Sequence, residues 1–341
     1  METVTLGSTG IITIKNAMGC LPIQRDTTDV AAHIVRKAYE SGFTFFDTAR
    51  AYTDSETKVG IALHDVRDKV FIATKTAAKT ADQLRADLET SLKNLQTDYI
   101  DIYQFHNPAF CPKPGAPDGL YDAALEAKRQ GKIRHIGITN HRLNIAKEAI
   151  ESGLYETLQF PFNYLCTEKD LELITLCKQR NIGFIAMKSL SGGLINNAAA
   201  AYAFAAQYDN VLPIWGIQHE KELDEFIAFN SNPPAMTDSI RELIKKDREQ
   251  LSGSFCRGCG YCMPCPQGIE INNCARMSLM IRRAPSAAWL GPDWQKKMER
   301  ITSCVHCHKC SSHCPYGLDT PALLLENYKD YQEVLAGRRT V

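Results

Sequence analysis

The stretch "YIDIYQFH" (99–106), followed by "LYDAALEAKRQGK" (120–132) and then "IRHIGIT" (133–139), decides the fold. Two β-rich runs, apolar along most of their length, flank a segment whose apolar residues recur at three- and four-residue intervals. A strand covered on both faces and followed by a crossover helix is the repeating unit of a parallel sheet. Working outward, the same alternation recurs. Strand-like runs are "IKNAMGC" (14–20), "FTFFDTA" (43–49), "VFIATK" (70–75), "ETLQFPF" (156–162), "IGFIAMK" (182–188) and "VLPIWGI" (211–217). Between them lie helical stretches such as "TDVAAHIVRKAYESG" (28–42), "ADQLRADLETSLKNL" (81–95) and "EKDLELITLCKQRN" (168–181). Eight strands alternating with helices predict an α/β fold of the (β/α)8 TIM-barrel kind, opened by a hairpin over "VTLGSTGIITI" (4–14). A doubly wound sheet fits less well, because no strand runs into a Gly-x-Gly-x-x-Gly turn.

Turn chemistry and a proline pair in "NSNPPAMTD" (230–238) mark a boundary. The barrel is expected over residues 1–235 and a second, mostly helical domain over 236–341. Formal net charge is zero and the isoelectric point is near 7.1, which argues against bulk attraction to nucleic acid or an acidic membrane. No apolar run approaches the roughly 18 residues that span a bilayer. "METVTLGSTG" has neither a basic nor an apolar leader region, so a cytoplasmic location is expected.

Cysteine is the outlier: of thirteen, nine fall between Cys256 and Cys314. Without an export signal such crowding favours metal over disulfides. "CVHCHKCSSHCP" places Cys304, Cys307, Cys310 and Cys314 at the C-x2-C-x2-C-x3-C-P spacing of bacterial-type 4Fe–4S ligation. "CRGCGYCMPCP" places Cys256, Cys259, Cys262 and Cys265 similarly, but with two residues before its last cysteine, and Cys274 stands nine residues further on. Zinc, the competing metal, prefers two C-x2-C pairs well separated in sequence. The two runs resemble a two-cluster ferredoxin. That resemblance implies two 4Fe–4S clusters, with Cys314 serving the first and Cys265 the second; Cys274 competes with Cys265 for the last place. The long helical connection suggests a helical ferredoxin-like domain. His306, His308 and His313 are expected at the surface or behind the ligands.

Asp47 ends "FFD", Lys75 ends "FIATK" and His106 ends "YQFH", while Tyr52 lies just behind the first of these. In a parallel barrel the carboxyl ends of all strands open on one face, so these four side chains can converge. A phenol beside an ammonium would have its pKa drawn below about 10 and could serve as a general acid. On "FDTARAY", "ATK" and "QFHN" the chain resembles the aldo-keto reductase family over residues 1 to about 230. The resemblance implies that Asp47, Tyr52, Lys75 and His106 form the catalytic tetrad. Thr139 and Asn140 of "GITN", with Gln159, would hold the nicotinamide carboxamide. Met187 would take the place of an aromatic against the ring, although packing explains it equally.

The cofactor implied is NADP or NAD. The turn after the last strand offers Gln218, His219 and Lys221 among Glu220, Glu222 and Asp224, an acidic setting for a 2′-phosphate. The leading expectation is therefore reduction of an aldehyde or ketone, or the reverse, by a nicotinamide, the clusters serving auxiliary electron transfer. A ferredoxin or flavoprotein partner feeding single electrons through the clusters, and a non-catalytic redox-sensing module, are the alternatives. The loop "HNPAFCPKPGAPDG" (106–119) is expected to shape the choice of substrate.

Overall fold

The computed structural model describes residues 2–251, 255–283 and 289–340. The chain folds as two compact units, one of residues 1–189 and 199–236, the other of residues 190–198 and 237–341. Among the described residues no helix is long and apolar enough to cross a membrane.

The first unit opens with an antiparallel hairpin of β1 (Thr3–Thr5) and β2 (Ile12–Ile14). Eight parallel strands then close on themselves: β3 (Ala17–Gly19), β4 (Phe45–Asp47), β5 (Phe71–Thr76), β6 (Ile100–His106), β7 (Ile133–Thr139), β8 (Thr157–Pro161), β9 (Gly183–Met187) and β10 (Val211–Gly216). Closure is made by β10, which pairs with both β9 and β3. The expected (β/α)8 barrel is what the chain forms. Its helices are α1 (Thr28–Glu40), α2 (Ser55–Leu63), α3 (Ala81–Leu95), α4 (Leu120–Arg129), α5 (Leu143–Ser152), α6 (Glu168–Gln179), α7 (Ala198–Ala206) and α8 (Glu220–Ser231). In α1 and α3 one stripe is buried, Ala31, Ile34, Val35 and Ala38 in the first, Leu84, Leu88, Leu92 and Leu95 in the second. Threonines 27 and 80 start these helices by accepting the backbone N–H groups of Val30 and Gln83.

Strand alternation builds the barrel interior in layers. Phe45, Ala73, Ile102, Ile185 and Leu212 form an apolar layer together with Val4, Leu6 and Ile11 of the hairpin, which thus plugs the amino-terminal end. Two residues further along the strands come Asp47, Lys75, Gln104 and Met187. An apolar floor therefore carries a polar layer at the carboxyl-terminal mouth.

The second unit is helical, with no strand among its described residues. Its centre is the helix Thr320–Leu335, which packs on Ile271–Cys274, Met277–Arg283 and Pro292–Glu299. Leu324, Tyr331, Met277, Met280, Ile281 and Met298 are buried there. Arg282 grips Asp330 with two hydrogen bonds of 2.6 and 2.9 Å.

Candidate active site and candidate cluster centre

Lys75, 1% exposed, donates from Nζ to Asp47 Oδ1 at 2.7 Å and to the Thr48 carbonyl at 2.5 Å. The chain after β4 folds back on itself: Thr48 and Ser55 join hydroxyls at 2.9 Å, and Ser55 Oγ donates to the Cys20 carbonyl at 2.7 Å. This turn returns Tyr52 to the mouth, where its ring meets His106 edge-on at 5.8 Å and lies 5.2 Å from the Lys75 ammonium. Asp47, Lys75 and His106 at their strand ends and Tyr52 from the loop behind β4 do come together.

Their electrostatics differ from the sequence expectation in one respect. Burial pushes the Tyr52 phenol above its ordinary value, and Asp47 and Cys20 push it further. The expected lowering fails for a physical reason. The Lys75 ammonium is spent on a carboxylate and a carbonyl, and it faces the ring of Tyr52, with no hydrogen bond to the hydroxyl among the described residues. Burial also raises the Asp47 carboxyl and lowers the Lys75 ammonium, each against the pull of its partner. His106 is brought down to about 3 by burial and by Lys75, so its imidazole is neutral near pH 7.

Two residues here went unnoticed in the sequence. Cys20, fully buried just past β3, faces both Asp47 and Lys75, and burial raises its thiol. Gln104, also fully buried, donates from Nε2 to Gln159 Oε1 at 2.8 Å, and Gln159 Nε2 donates to Asp47 Oδ1 at 3.3 Å. A lone cysteine in "MGC" and a lone glutamine in an apolar strand carry no sequence signal of such partners.

The residues expected to hold a nicotinamide carry internal bonds. Thr139 Oγ1 accepts from Asn107 N at 3.2 Å. Asn140 donates to the Pro108 carbonyl at 2.9 Å and accepts from Arg142 N at 2.8 Å. Asn107, at φ +52°, accepts from His141 N, which ties the loops after β6 and β7 together. Met187 packs against the apolar layer. At the start of α8, Glu222 accepts from the backbone of Gln218 and His219, and Glu220 and Asp224 both pair with Lys37. The acidic residues of that turn are thereby engaged. Exposed Arg25 meets Gln218 at 3.3 Å, a nearby cation not anticipated from the sequence.

In the second unit the two cysteine runs share one backbone turn. Gly258 and Gly260 flank Cys259 with φ of +64° and +83°; His306 and His308 flank Cys307 with φ of +51° and +55°. Such alternation turns consecutive N–H groups inward as an anion nest, a feature of many iron–sulfur sites. Gly258 N already donates to Cys256 Sγ at 3.4 Å. Cys262, Cys265, Cys304, Cys307 and Cys310 line one cavity. Cys256 lies within electrostatic reach of Cys259 and Cys314. Cys274 is apart: its thiol is buried, donates to the Lys297 carbonyl at 3.9 Å, and is pushed up to about 12 by burial and Glu270. Among the described residues no three such side chains lie close enough to hold one metal ion, so the fit to a cluster rests on the shared turns and the thiol-lined cavity. No thiol is in a disulfide, and His306, His308 and His313 are exposed.

A closed parallel barrel with a polar, ion-paired mouth and a separate unit whose two cysteine runs sit on turns of the same kind are thus combined in one chain. The family model described as "Aldo/keto reductase family" matches residues 17–200, and that of a "4Fe-4S dicluster domain" matches residues 255–319. The chain belongs to the aldo/keto reductase family and carries a 4Fe-4S dicluster domain. It is 33% identical over 215 residues to aldo-keto reductase YhdN of Bacillus subtilis, a match covering 57% of this chain and 64% of that protein. It is 37% identical over 130 residues to methylglyoxal reductase DkgB of Salmonella typhi, covering 36% of this chain and 47% of that one. The chain thus spans less than two thirds of the length of either relative. Among solved structures, aldo-keto reductase AKR11C1 from Bacillus halodurans superimposes with a TM-score of 0.62 at 21% identity, covering 72% of this chain and 96% of its own. An aldo-keto reductase from Klebsiella pneumoniae in complex with NADPH gives 0.61 at 19% identity, covering 72% and 94%. These two likenesses bear on the fold alone.

Proposed function

We propose that the chain is an NAD(P)H-dependent oxidoreductase that reduces an aldehyde or ketone at the barrel mouth. The observation that carries this reading is the buried Lys75–Asp47 pair gathered with Tyr52 and His106 where the strands end. A bound nicotinamide supplies a hydride to the carbonyl carbon. Tyr52 gives its hydroxyl proton to the carbonyl oxygen as that carbon is reduced. A phenol whose pKa is raised keeps its proton at neutral pH, and a nascent alkoxide is a stronger base than any phenolate, so the transfer runs downhill. Neutral His106 holds the substrate oxygen by a hydrogen bond, and Asp47 fixes Lys75 against the Tyr52 ring. Thr139, Asn140 and Gln159 would hold the carboxamide, Met187 would lie on the nicotinamide side, and Arg25 beside Gln218 would supply charge for a 2′-phosphate.

In the second unit we assign Cys256, Cys259, Cys262 and Cys314 to one 4Fe–4S cluster and Cys265, Cys304, Cys307 and Cys310 to another. When bound, the clusters store and pass single electrons. One observation favours a second reading, in which a ferredoxin or flavoprotein delivers electrons through them: Cys307 is solvent-exposed beside Val305, itself 61% exposed.

Anaerobic protein is assayed for aldehyde- or ketone-dependent oxidation of NADH and NADPH, and for carbonyl reduction by a reduced low-potential dye. The first reading expects nicotinamide-driven turnover, with Tyr52→Phe losing about 10²- to 10⁴-fold in kcat while binding dinucleotide as the wild type does. Full activity in Tyr52→Phe, or turnover with the dye alone, overturns it.

A further inference from the structure

We infer that Gln104 is a positioning residue that fixes which end of the Gln159 amide faces the nicotinamide, an inference that rests on the functional reading above. The argument begins at Asp47. Its Oδ1 already receives the Lys75 ammonium at 2.7 Å, so it can only accept. Gln159 must therefore turn its NH2 group toward Asp47, at 3.3 Å, and its carbonyl oxygen away. That oxygen needs a donor, and Gln104 Nε2, which also lies near enough to Asp47 to favour its carboxylate, provides it at 2.8 Å. One acceptor at the head of the chain thus sets the polarity of two buried amides.

The backbone makes room for this reach. Gln104 is on β6 and Gln159 on β8, with β7 between them, and Gly137 of β7 is the Cα partner of both Gln104 and Thr157. A Cβ at Gly137 would come within 3.0 Å of Gln104 Cγ and 2.3 Å of Thr157 Oγ1. Only a residue without a side chain lets the glutamine cross. The arrangement also has a cost that an apolar residue at this position would avoid: Gln104 Oε1 is buried with no partner among the described residues.

With its oxygen tied to Gln104 and one N–H on Asp47, Gln159 keeps a single N–H to offer. It can recognise the oxygen of a carboxamide, and it meets that oxygen as a donor linked to the Asp47–Lys75 pair. Freed from Gln104, the Gln159 amide loses the partner that holds its oxygen away from the ligand.

The test compares wild type with Gln104→Met, which keeps the volume and loses the donor, and Gln104→Leu, which loses the donor in a branched side chain of similar bulk. Binding of NADPH and NADH is measured by fluorescence beside ADP-ribose and 2′-phospho-ADP-ribose, which lack the nicotinamide. Both variants should weaken dinucleotide binding about ten-fold, or about 1.4 kcal/mol, with the nicotinamide-free fragments unaffected. Wild-type dinucleotide affinity in both variants overturns the inference, and so does an equal loss for the fragments, which marks a general structural defect. A wild type that binds ADP-ribose fragments and dinucleotides alike, without gain from the nicotinamide, overturns the inference and leaves the reductase reading standing on turnover. A wild type that binds no dinucleotide overturns both.

Discussion

Replacing Lys75 by methionine tests the electrostatic design of the mouth most directly. Lys75 and Asp47 are 1% and 2% exposed, and Asp47 Oδ2 has no hydrogen-bond partner even with the lysine in place. Removing the ammonium leaves a buried carboxylate facing the Gln159 and Gln104 amides and the Cys20 thiol, with no cation beside it. Breaking a buried pair in this one-sided way costs about 3–5 kcal/mol, or about 6–20 °C in the melting of a unit of this size. The carboxylate can escape by taking a proton, and the sign of the pH dependence follows. Burial holds the native carboxyl above its unfolded value of about 3.9, and Lys75 is the largest opposing influence. Without Lys75 the native pKa climbs further. Between the two values the native state binds more protons than the unfolded one, so stability falls as pH rises, by about 1.4 kcal/mol per unit. The deficit of Lys75→Met relative to wild type should therefore be small near pH 5 and grow toward pH 8. Hydrogen exchange of the β5 and β6 amides, followed anaerobically over that range, reads it from the barrel alone. A deficit that does not change with pH refutes the reasoning.

Three further outcomes are expected. Cys265→Ala should lose about half the iron bound per chain in an anaerobic iron and sulfide assay, while Cys274→Ala retains it; the reverse order would reassign the ligand. Gly258→Ala should lower iron content, because its Cβ would sit 2.5 Å from Arg276 Cζ at a φ of +64°. His308→Gly, which relieves the same backbone conformation in the other run, should keep its iron and gain up to about 1 kcal/mol in stability on chemical unfolding.

The barrel was legible because each strand is a short apolar run bounded by turn residues and each helix repeats its apolar positions at the right period. The gathering at the mouth was legible for a related reason: in a parallel barrel the last residue of every strand faces the same opening, so Asp47, Lys75 and His106 needed only their strand ends to be found. Tyr52 required more, since its return to the mouth depends on the bond between Thr48 and Ser55, seven positions apart. What stayed hidden depends on which groups meet across space. Alternation says that Gln104 points inward, but not that it crosses a glycine to reach Gln159. Spacing alone left Cys265 and Cys274 level; the fold separates them by placing one beside Cys304 and Cys307 and the other under Lys297. The direction of the Tyr52 shift was missed because a sequence names charged neighbours and leaves out burial, the larger effect here.

That direction has a consequence for which way the proposed reaction prefers to run. A proton donor must arrive protonated and a proton acceptor must arrive ionised. With its pKa raised, Tyr52 is a phenol throughout the neutral range, ready to protonate a carbonyl oxygen. To oxidise an alcohol it must first become phenolate, and below its pKa that fraction grows ten-fold with each pH unit. Carbonyl reduction should thus be flat from about pH 6 to 8, while alcohol oxidation climbs ten-fold per unit with no plateau in that span. His106, neutral above about 3, contributes no inflection of its own. Initial rates in both directions, at saturating dinucleotide and under anaerobic conditions, decide the matter. An oxidation rate that levels off near pH 7 would mean that the phenol is acidic after all, drawn down by an ammonium closer to its oxygen than the 5.2 Å ring contact implies.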